Sequence, residues 1–226
     1  MHLTIALAAA GIASALGVAA AAGGGSPHGF TARVTNPWFP LKPGTRYEYV
    51  GVKDGRPSRD VMVVTHRTTT IDGAPCIDVS DRLYIGGKLR ERTTDWYTQD
   101  RQGNVWYFGE DTAELDRNGR ITSREGTWLA GRDGAEPGIY MPAKPHVGQS
   151  GRQEYYRRHA EDRFRVAAVI RSVSGAPVSV LTEETTPLEP GVVDNKLYVR
   201  GVGTVTELTV KGGSERNQLI SVTRAH

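Results

Sequence analysis

The stretch Asp95–Glu114, DWYTQDRQGNVWYFGEDTAE, decides how the rest of the chain is read. Two Trp-Tyr pairs, Trp96-Tyr97 and Trp106-Tyr107, flank Asp100-Arg101-Gln102-Gly103-Asn104. A type I turn closed by Gly103 at positive φ sets Asp100 opposite Asn104. Counting back at a constant index sum pairs Thr98 with Trp106, Tyr97 with Tyr107 and Trp96 with Phe108. One face then carries Trp96, Thr98, Trp106 and Phe108, and the other Asp95, Tyr97, Gln99, Val105 and Tyr107. A strand wetted on one side alternates apolar with polar, so a hairpin aromatic on both faces is either covered twice or offers rings to a ligand. The heavier face, with Trp96, Trp106 and Phe108, is assigned to the core, and the Tyr107 face to a ligand or a neighbouring loop.

Outward from this hairpin the pattern repeats. Asp54-Gly55, Asp72-Gly73 and Gly86-Gly87 punctuate runs at Thr45–Val52, Asp60–Arg67, Cys76–Ile85 and Lys88–Gln99, each of which reads as a strand. Asp116-Arg117-Asn118-Gly119 is a further turn before a short strand at Arg120–Ser123. Gly126–Pro145, rich in Gly and Pro and without sustained periodicity, is expected to be a long ordered loop pinned by Trp128, Leu129, Ile139, Tyr140 and Met141, and to rim a site. Strands resume at Gly148–Arg157, Asp162–Val173, Val178–Glu184, Val192–Arg200, Thr204–Val210 and Gln218–Val222. The Asp162–Val173 run also fits a helical stripe, but the Ser174-Gly175-Ala176-Pro177 stop and the β-branched return favour strand. Turns about every ten residues with little helix imply an antiparallel meander forming a barrel, half-barrel or sandwich.

The N-terminus sets the compartment. Residues 1–27 contain no Lys, Arg, Asp or Glu and end in small residues, the pattern of a secretory signal cleaved near Ala22. Residues 23–35 are expected to be a flexible leader and residues 36–226 a single β domain, with no transmembrane anchor after cleavage. Asn36-Pro37-Trp38-Phe39-Pro40-Leu41-Lys42-Pro43 opens the domain; its prolines forbid ladder pairing, so it should be an extended arm anchoring Trp38 and Phe39. The lone Cys76 excludes an internal disulfide and reads as a buried strand residue. A net charge of +3 arises from scattered arginines without a basic run, so nucleic acid is not an expected partner.

The segments NPWFPLKPGTRYEY, DWYTQDRQGNVWYFGEDT, EPGIYMP and LEPGVVDNKLYVRGVGTV resemble a family of uncharacterised exported bacterial proteins of actinobacterial type, and the likeness covers most of the chain beyond the signal. In general plan the chain also resembles periplasmic lipoprotein-carrier half-barrels, which bind acyl chains in a β-sheet concavity, but it lacks clear lid helices. The first resemblance implies export and brings no established activity.

Three constellations bear on chemistry. Glu114–Glu125 has the oxygen spacing of a calcium loop with Gly119 at its sixth position, but its flanks read as strands and arginines intrude, so an Asn-Gly hairpin is the better reading. His159-Ala160-Glu161-Asp162, surrounded by Arg157, Arg158 and Arg163, reads as a solvated turn, because strand neighbours point to opposite faces. Asp95, Glu110 and Asp111 lie beside aromatics, the outline of glycoside hydrolysis, yet the register above puts Asp95 opposite Gly109 and Glu110 on the other face.

The expectation is therefore a secreted or envelope-located, non-catalytic β domain that binds an apolar or carbohydrate-like ligand through Trp96, Tyr97, Trp106, Tyr107, Trp128 and Tyr140. The alternatives are a secreted hydrolase using Asp95 or Glu110 with His146, and a structural or interaction protein of the cell envelope. No metal and no cofactor is expected.

Overall fold

The computed structural model describes residues 29–224, and the expected signal peptide falls outside them. The chain is all β. A meander of β1 (Thr45–Lys53), β2 (Arg56–Ile71), β3 (Ala74–Ile85), β4 (Lys88–Gln99) and β5 (Val105–Leu115) forms half of one antiparallel sheet. β5 is followed by the short strands β6 (Ile121–Ser123), β7 (Trp128–Leu129) and β8 (Glu136–Met141), all of which pair back onto it. β11 (Arg163–Arg171), β12 (Pro177–Thr185), β13 (Val193–Val199), β14 (Gly203–Lys211) and β15 (Arg216–Arg224) form the second half, and β15 pairs with β1. The sheet curls until its two ends nearly meet, and one segment spans the seam. β9 (Ser150–Arg152) pairs with β11, and β10 (Glu154–Tyr155) pairs with β8. Only Gln153 lies between them, its N–H donating to the Asp162 carbonyl at 2.8 Å. Closing the sheet removes the exposed edges that a flat one would present.

The turns fall where the Gly-rich dipeptides placed them, with Asp54 and Asp72 at positive φ beside Gly55 and Gly73. Several expectations need correction. Gly126–Pro145 is not strand-free, because β7 and β8 lie within it and complete the barrel wall. Gly148–Arg157 is two short strands serving different neighbours. The stretch 29–35, expected as leader, is packed: Thr31 bridges Gln99, and the Phe30 ring meets Trp106 and Phe108 edge-on at 5.8 and 5.2 Å.

The organising hairpin departs from its expected register at one point. Thr98 pairs with Trp106 and Tyr97 with Tyr107, but Trp96 pairs with Gly109, and Asp95 with Glu110. Phe108 is the extra residue of a β-bulge, and Gly109 adopts φ of +141° there. A Cβ at Gly109 would sit 2.4 Å from the Trp128 carbonyl oxygen, so the close approach of β7 also requires glycine. The face assignment is reversed as well. Tyr97 and Tyr107 point into the barrel, while Trp96 and Trp106 point outward, where the arm at Phe30 covers Trp106 and Phe108.

The Pro-rich arm plugs one end of the barrel. Trp38 and Phe39 are buried, and the Phe39 ring meets Tyr97 at 5.3 Å and Tyr140 at 4.6 Å. Asn36 pins the arm. Its Nδ2 donates to the carbonyls of Gly103 at 2.9 Å and Pro142 at 3.2 Å, and its Oδ1 accepts from the Trp38 N–H at 2.8 Å. Gln99 Oε1 accepts the N–H groups of Thr35 and Asn36, each at 2.8 Å. An arm that cannot join a ladder thus has its backbone satisfied by side chains.

Candidate functional site

Above the plug lies the barrel lumen. Side chains alternate along each strand, so the inward set is fixed by register: Tyr49 on β1, Asp60 and Met62 on β2, Asp81 on β3, Asp95 and Tyr97 on β4. With Phe39 and Tyr140 these surround a cavity of about 140 Å³. It shares Asp60 and Asp81 with a second cavity of about 220 Å³, which reaches Lys53 and Glu91 toward the far end. It shares Lys196 and Glu207 with a third, of about 540 Å³, which reaches Glu154, Asp162 and Glu184. Glu207 lines all three cavities of this interior.

That interior is acidic. About half of the chain's 25 Asp and Glu residues line it, against Lys53, Lys196 and Arg216, although the whole chain carries +3. The cations therefore sit outside. Lys196 Nζ lies 2.8 Å from Glu184 Oε2 and 3.4 Å from Glu207 Oε1. Glu184 Oε1 also accepts from the hydroxyls of Thr182 at 3.0 Å and Tyr198 at 3.2 Å. Burial alone would lower the Lys196 ammonium, but Glu184 and Glu207 outweigh it and hold the group well above its ordinary range. Lys53 lies 3.8 Å from Glu215.

Asp81, Asp95 and Glu154 in the lumen, and Glu110 beside it, form no ion pair among the described residues, and burial drives these four toward the neutral form. Asp95 is pushed up to about 7 by burial; the Tyr107 hydroxyl, donating to its Oδ1 at 2.6 Å, opposes this, while Asp60 and Glu91 add to it. Glu110 is raised well above the carboxylate range by burial and then by Asp95 and Glu154, its Oε2 accepting from Thr112 Oγ1 at 2.8 Å. Asp81 is raised well above the carboxylate range by burial and then by the neighbouring Asp60. Glu154 reaches about 8 through burial and Asp162, with the Trp128 Nε1–H donating to it at 2.8 Å.

The lumen brings together some of the residues singled out from sequence and leaves others apart. Asp95, Glu110, Tyr97 and Tyr107 share the inward face, because the bulge at Phe108-Gly109 turns Glu110 to the side of Asp95. Tyr97 stacks on Tyr107 at 4.8 Å and meets Tyr140 edge-on at 5.1 Å. Tyr97 and Tyr140 line the cavity. Tyr107 and Trp128 stand behind them, edge to face at 5.5 Å. Trp96 and Trp106 are on the outer face, where Trp106 Nε1 donates to Asp100 Oδ2 at 2.8 Å. His146 is exposed beyond β8, its N–H pointing to Gln149 Oε1, and does not join Asp95 or Glu110.

The other constellations resolve into local structure. Asp116 Oδ1 caps the N–H groups of Asn118 and Arg120 in the hairpin joining β5 to β6. His159 stacks on Tyr156 at 4.4 Å, while Asp162, read from sequence as part of a solvated turn, faces the third cavity. Cys76 is fully buried, and burial pushes its thiol up to about 12. Among the described residues no three of His, Cys, Asp or Glu converge as a metal would require.

Sequence reasoning missed Asp60, Asp81, Lys196 and Glu207. The signal was present in strand alternation. In Asp60-Val61-Met62-Val63-Val64 and Asp194-Asn195-Lys196-Leu197-Tyr198, charged residues share a face with large apolar ones, which a packed core does not tolerate and a polar lumen does.

No protein-family model matches the chain, and no curated protein matches it. Among solved structures it is similar to a chain from Bacteroides fragilis described as an exported protein with a YmcC-like fold, at 12% identity and a TM-score of 0.44, over 83% of this chain and 99% of that one. It is also similar to a chain from Parabacteroides distasonis described as a lipoprotein, at 9% identity and a TM-score of 0.42, over 82% of this chain and 98% of that one.

Proposed function

We propose that the chain is an exported, non-catalytic binding barrel that holds a small polar ligand in its lumen. The observation that carries this reading is the convergence of rings from several elements, Phe39, Tyr49, Tyr97 and Tyr140, on a cavity whose other walls are mostly polar: Asp60, Asp81, Asp95 and Glu207 with Lys196, Thr204 and Asn217. Rings supply contact area at low entropy cost, and the polar groups orient what they hold. The polar walls argue against the purely apolar ligand entertained from sequence, since burying unpaired carboxyls against hydrocarbon is costly. Export is supported by the charge-free N-terminal stretch.

The test is native mass spectrometry of the full chain recovered from an exporting host, followed by release and identification of any retained small molecule. Wild type should retain a mass that Tyr140→Ala loses while staying folded by circular dichroism. A chain that retains nothing and gives no calorimetric signal with amines, sugars or fatty acids would refute the reading.

A second reading is kept for one observation: Asp95 and Glu110 are cross-strand partners on one face, as a glycosidase pair would be. Against it, each carboxyl is already held by a neighbouring hydroxyl, from Tyr107 and Thr112 respectively, and Glu110 does not line the cavity beside Asp95. Hydrolysis of aryl glycosides by wild type, abolished in Glu110→Gln, would establish it.

A further inference from the structure

We propose that the lumen takes a small organic amine, its ammonium group seated between Asp60, Asp81 and Asn217 and its carbon chain laid on Tyr49 and Tyr97. The inference rests on the lumen being the binding site and names the class of ligand it holds.

Four independent features of the same cavity lead there. The first is a set of carboxyl groups without cations. Lys196 is committed to Glu184 and Glu207, and Lys53 faces Glu215, whereas among the described residues Asp60, Asp81 and Asp95 form no ion pair. The second is missing donors. Asp60 Oδ1 and Asn217 Oδ1 are buried atoms without a hydrogen-bond partner among the described residues, and both are acceptors. Asn217 Nδ2 turned toward Asp60 Oδ2, at 3.5 Å, leaves the amide oxygen to look for an N–H elsewhere. A sugar hydroxyl could serve one such acceptor, but an ammonium brings three donors and a positive charge.

The third feature is that Asp60 and Asp81 line the same two cavities, so two carboxyl groups face one space, an arrangement that a proton or a cation between them relieves. The fourth is the aromatic wall. Tyr49, Tyr97, Tyr140 and Phe39 border the same cavity, and an ammonium or its flanking methylenes gain by lying against ring faces. Glu207 also borders two further cavities lined by carboxyl groups, so a linear amine with a second or third nitrogen has further acceptors close by.

The experiment is isothermal titration calorimetry of the full chain with spermidine and with cadaverine, against glucose and against magnesium chloride at matched ionic strength. Saturable binding of the amines, weakened about tenfold or more in the double variant Asp60→Asn, Asp81→Asn, supports the proposal. Asn217→Leu, which removes a neutral acceptor, should weaken it as well, and it serves as the readout if the double variant does not fold. Three results would overturn the proposal: amine affinity unchanged in these variants, magnesium as effective as spermidine, or glucose binding where the amines do not. The last of these leaves the lumen as the site and discards only the ligand class, whereas silence from every probe together with nothing retained in mass spectrometry discards both.

Discussion

The buried acids make stability fall as pH rises, and Asp95 gives the sharpest case. Its folded-state value of about 7 lies above the ordinary 3.8, so the folded protein keeps this proton longer than the unfolded chain does. The resulting penalty is absent below about pH 4, accumulates between about pH 4 and 7, and is constant above. The rise from 3.8 to about 7, at ~1.4 kcal/mol for each tenfold change in proton affinity, sets a ceiling of ~4 kcal/mol. Because Asp60 and Glu91 share the field that raises Asp95, ~2 kcal/mol is the working figure. Asp95→Asn removes the penalty while its amide oxygen still accepts the Tyr107 hydroxyl. The variant should therefore match wild type near pH 4 and exceed its stability by ~2 kcal/mol at pH 8. Urea denaturation of both proteins at pH 5, 6.5 and 8 measures this. Wild-type stability must decline across that series, with Glu154, raised to about 8, extending the decline toward the alkaline end. A wild-type stability flat from pH 5 to 8, or an Asp95→Asn variant less stable than wild type at pH 8, would show that these carboxyls are solvated like surface groups.

The remaining predictions concern packing and backbone. Tyr107→Ala should cost about 3 to 5 kcal/mol and Trp106→Ala less, since Tyr107 is buried between Tyr97 and Trp128 while Trp106 is part-exposed on the outer face; guanidinium unfolding of both variants decides the order. Asn36→Ala should cost about 2 to 4 kcal/mol, because the carbonyls and the Trp38 N–H it serves are left without partners. Hydrogen exchange should show the loss concentrated at the Trp38-Phe39 plug, and protection unchanged there would argue that packing alone holds the arm. Gly109→Ala should destabilise by more than about 3 kcal/mol, the added Cβ meeting the Trp128 carbonyl at a backbone angle that L-residues avoid; a melting temperature within a degree or two of wild type would mean that β7 gives way freely.

Most of the meander was legible because its turns are written in the strongest local code. Asp54-Gly55, Asp72-Gly73, Gly86-Gly87 and the Gly103 turn all close hairpins between adjacent strands, and the constant-sum register from Asp100 and Asn104 holds through Tyr97 and Tyr107. The second half of the sheet was legible for the same reason at Gly175 and Gly201. What the Gly- and Pro-rich stretch Gly126–Pro145 concealed was β7 and β8. These strands are too short for periodicity to register, and they exist because β5 offers an edge to pair with. Propensity within that segment carries no trace of a partner supplied by residues some 20 to 35 positions earlier, which is a general weakness of reading strands locally.

The meeting of Asp95 and Glu110 was obscured by a single residue. In a strand the side-chain period is two, so one inserted residue exchanges the faces of everything beyond it. With no bulge, Phe108 would sit outward opposite Trp96, Gly109 would face Asp95 on the inward side, and Glu110 and Thr112 would point outward, leaving no carboxyl pair. With the bulge at Phe108-Gly109, Phe108 goes under Phe30, Asp95 meets Glu110, and Thr93 meets Thr112 with their hydroxyls 2.7 Å apart. The sign of it was a glycine inside a run of strand formers, Trp106-Tyr107-Phe108-Gly109-Glu110, which is where a bulge or a close backbone approach belongs. Gly109 serves both purposes, since its positive φ makes the bulge and its bare Cα admits the Trp128 carbonyl. The pairing of Asp95 with Glu110 on the inward face therefore depends on the one position where the hairpin breaks the alternation by which it was recognised.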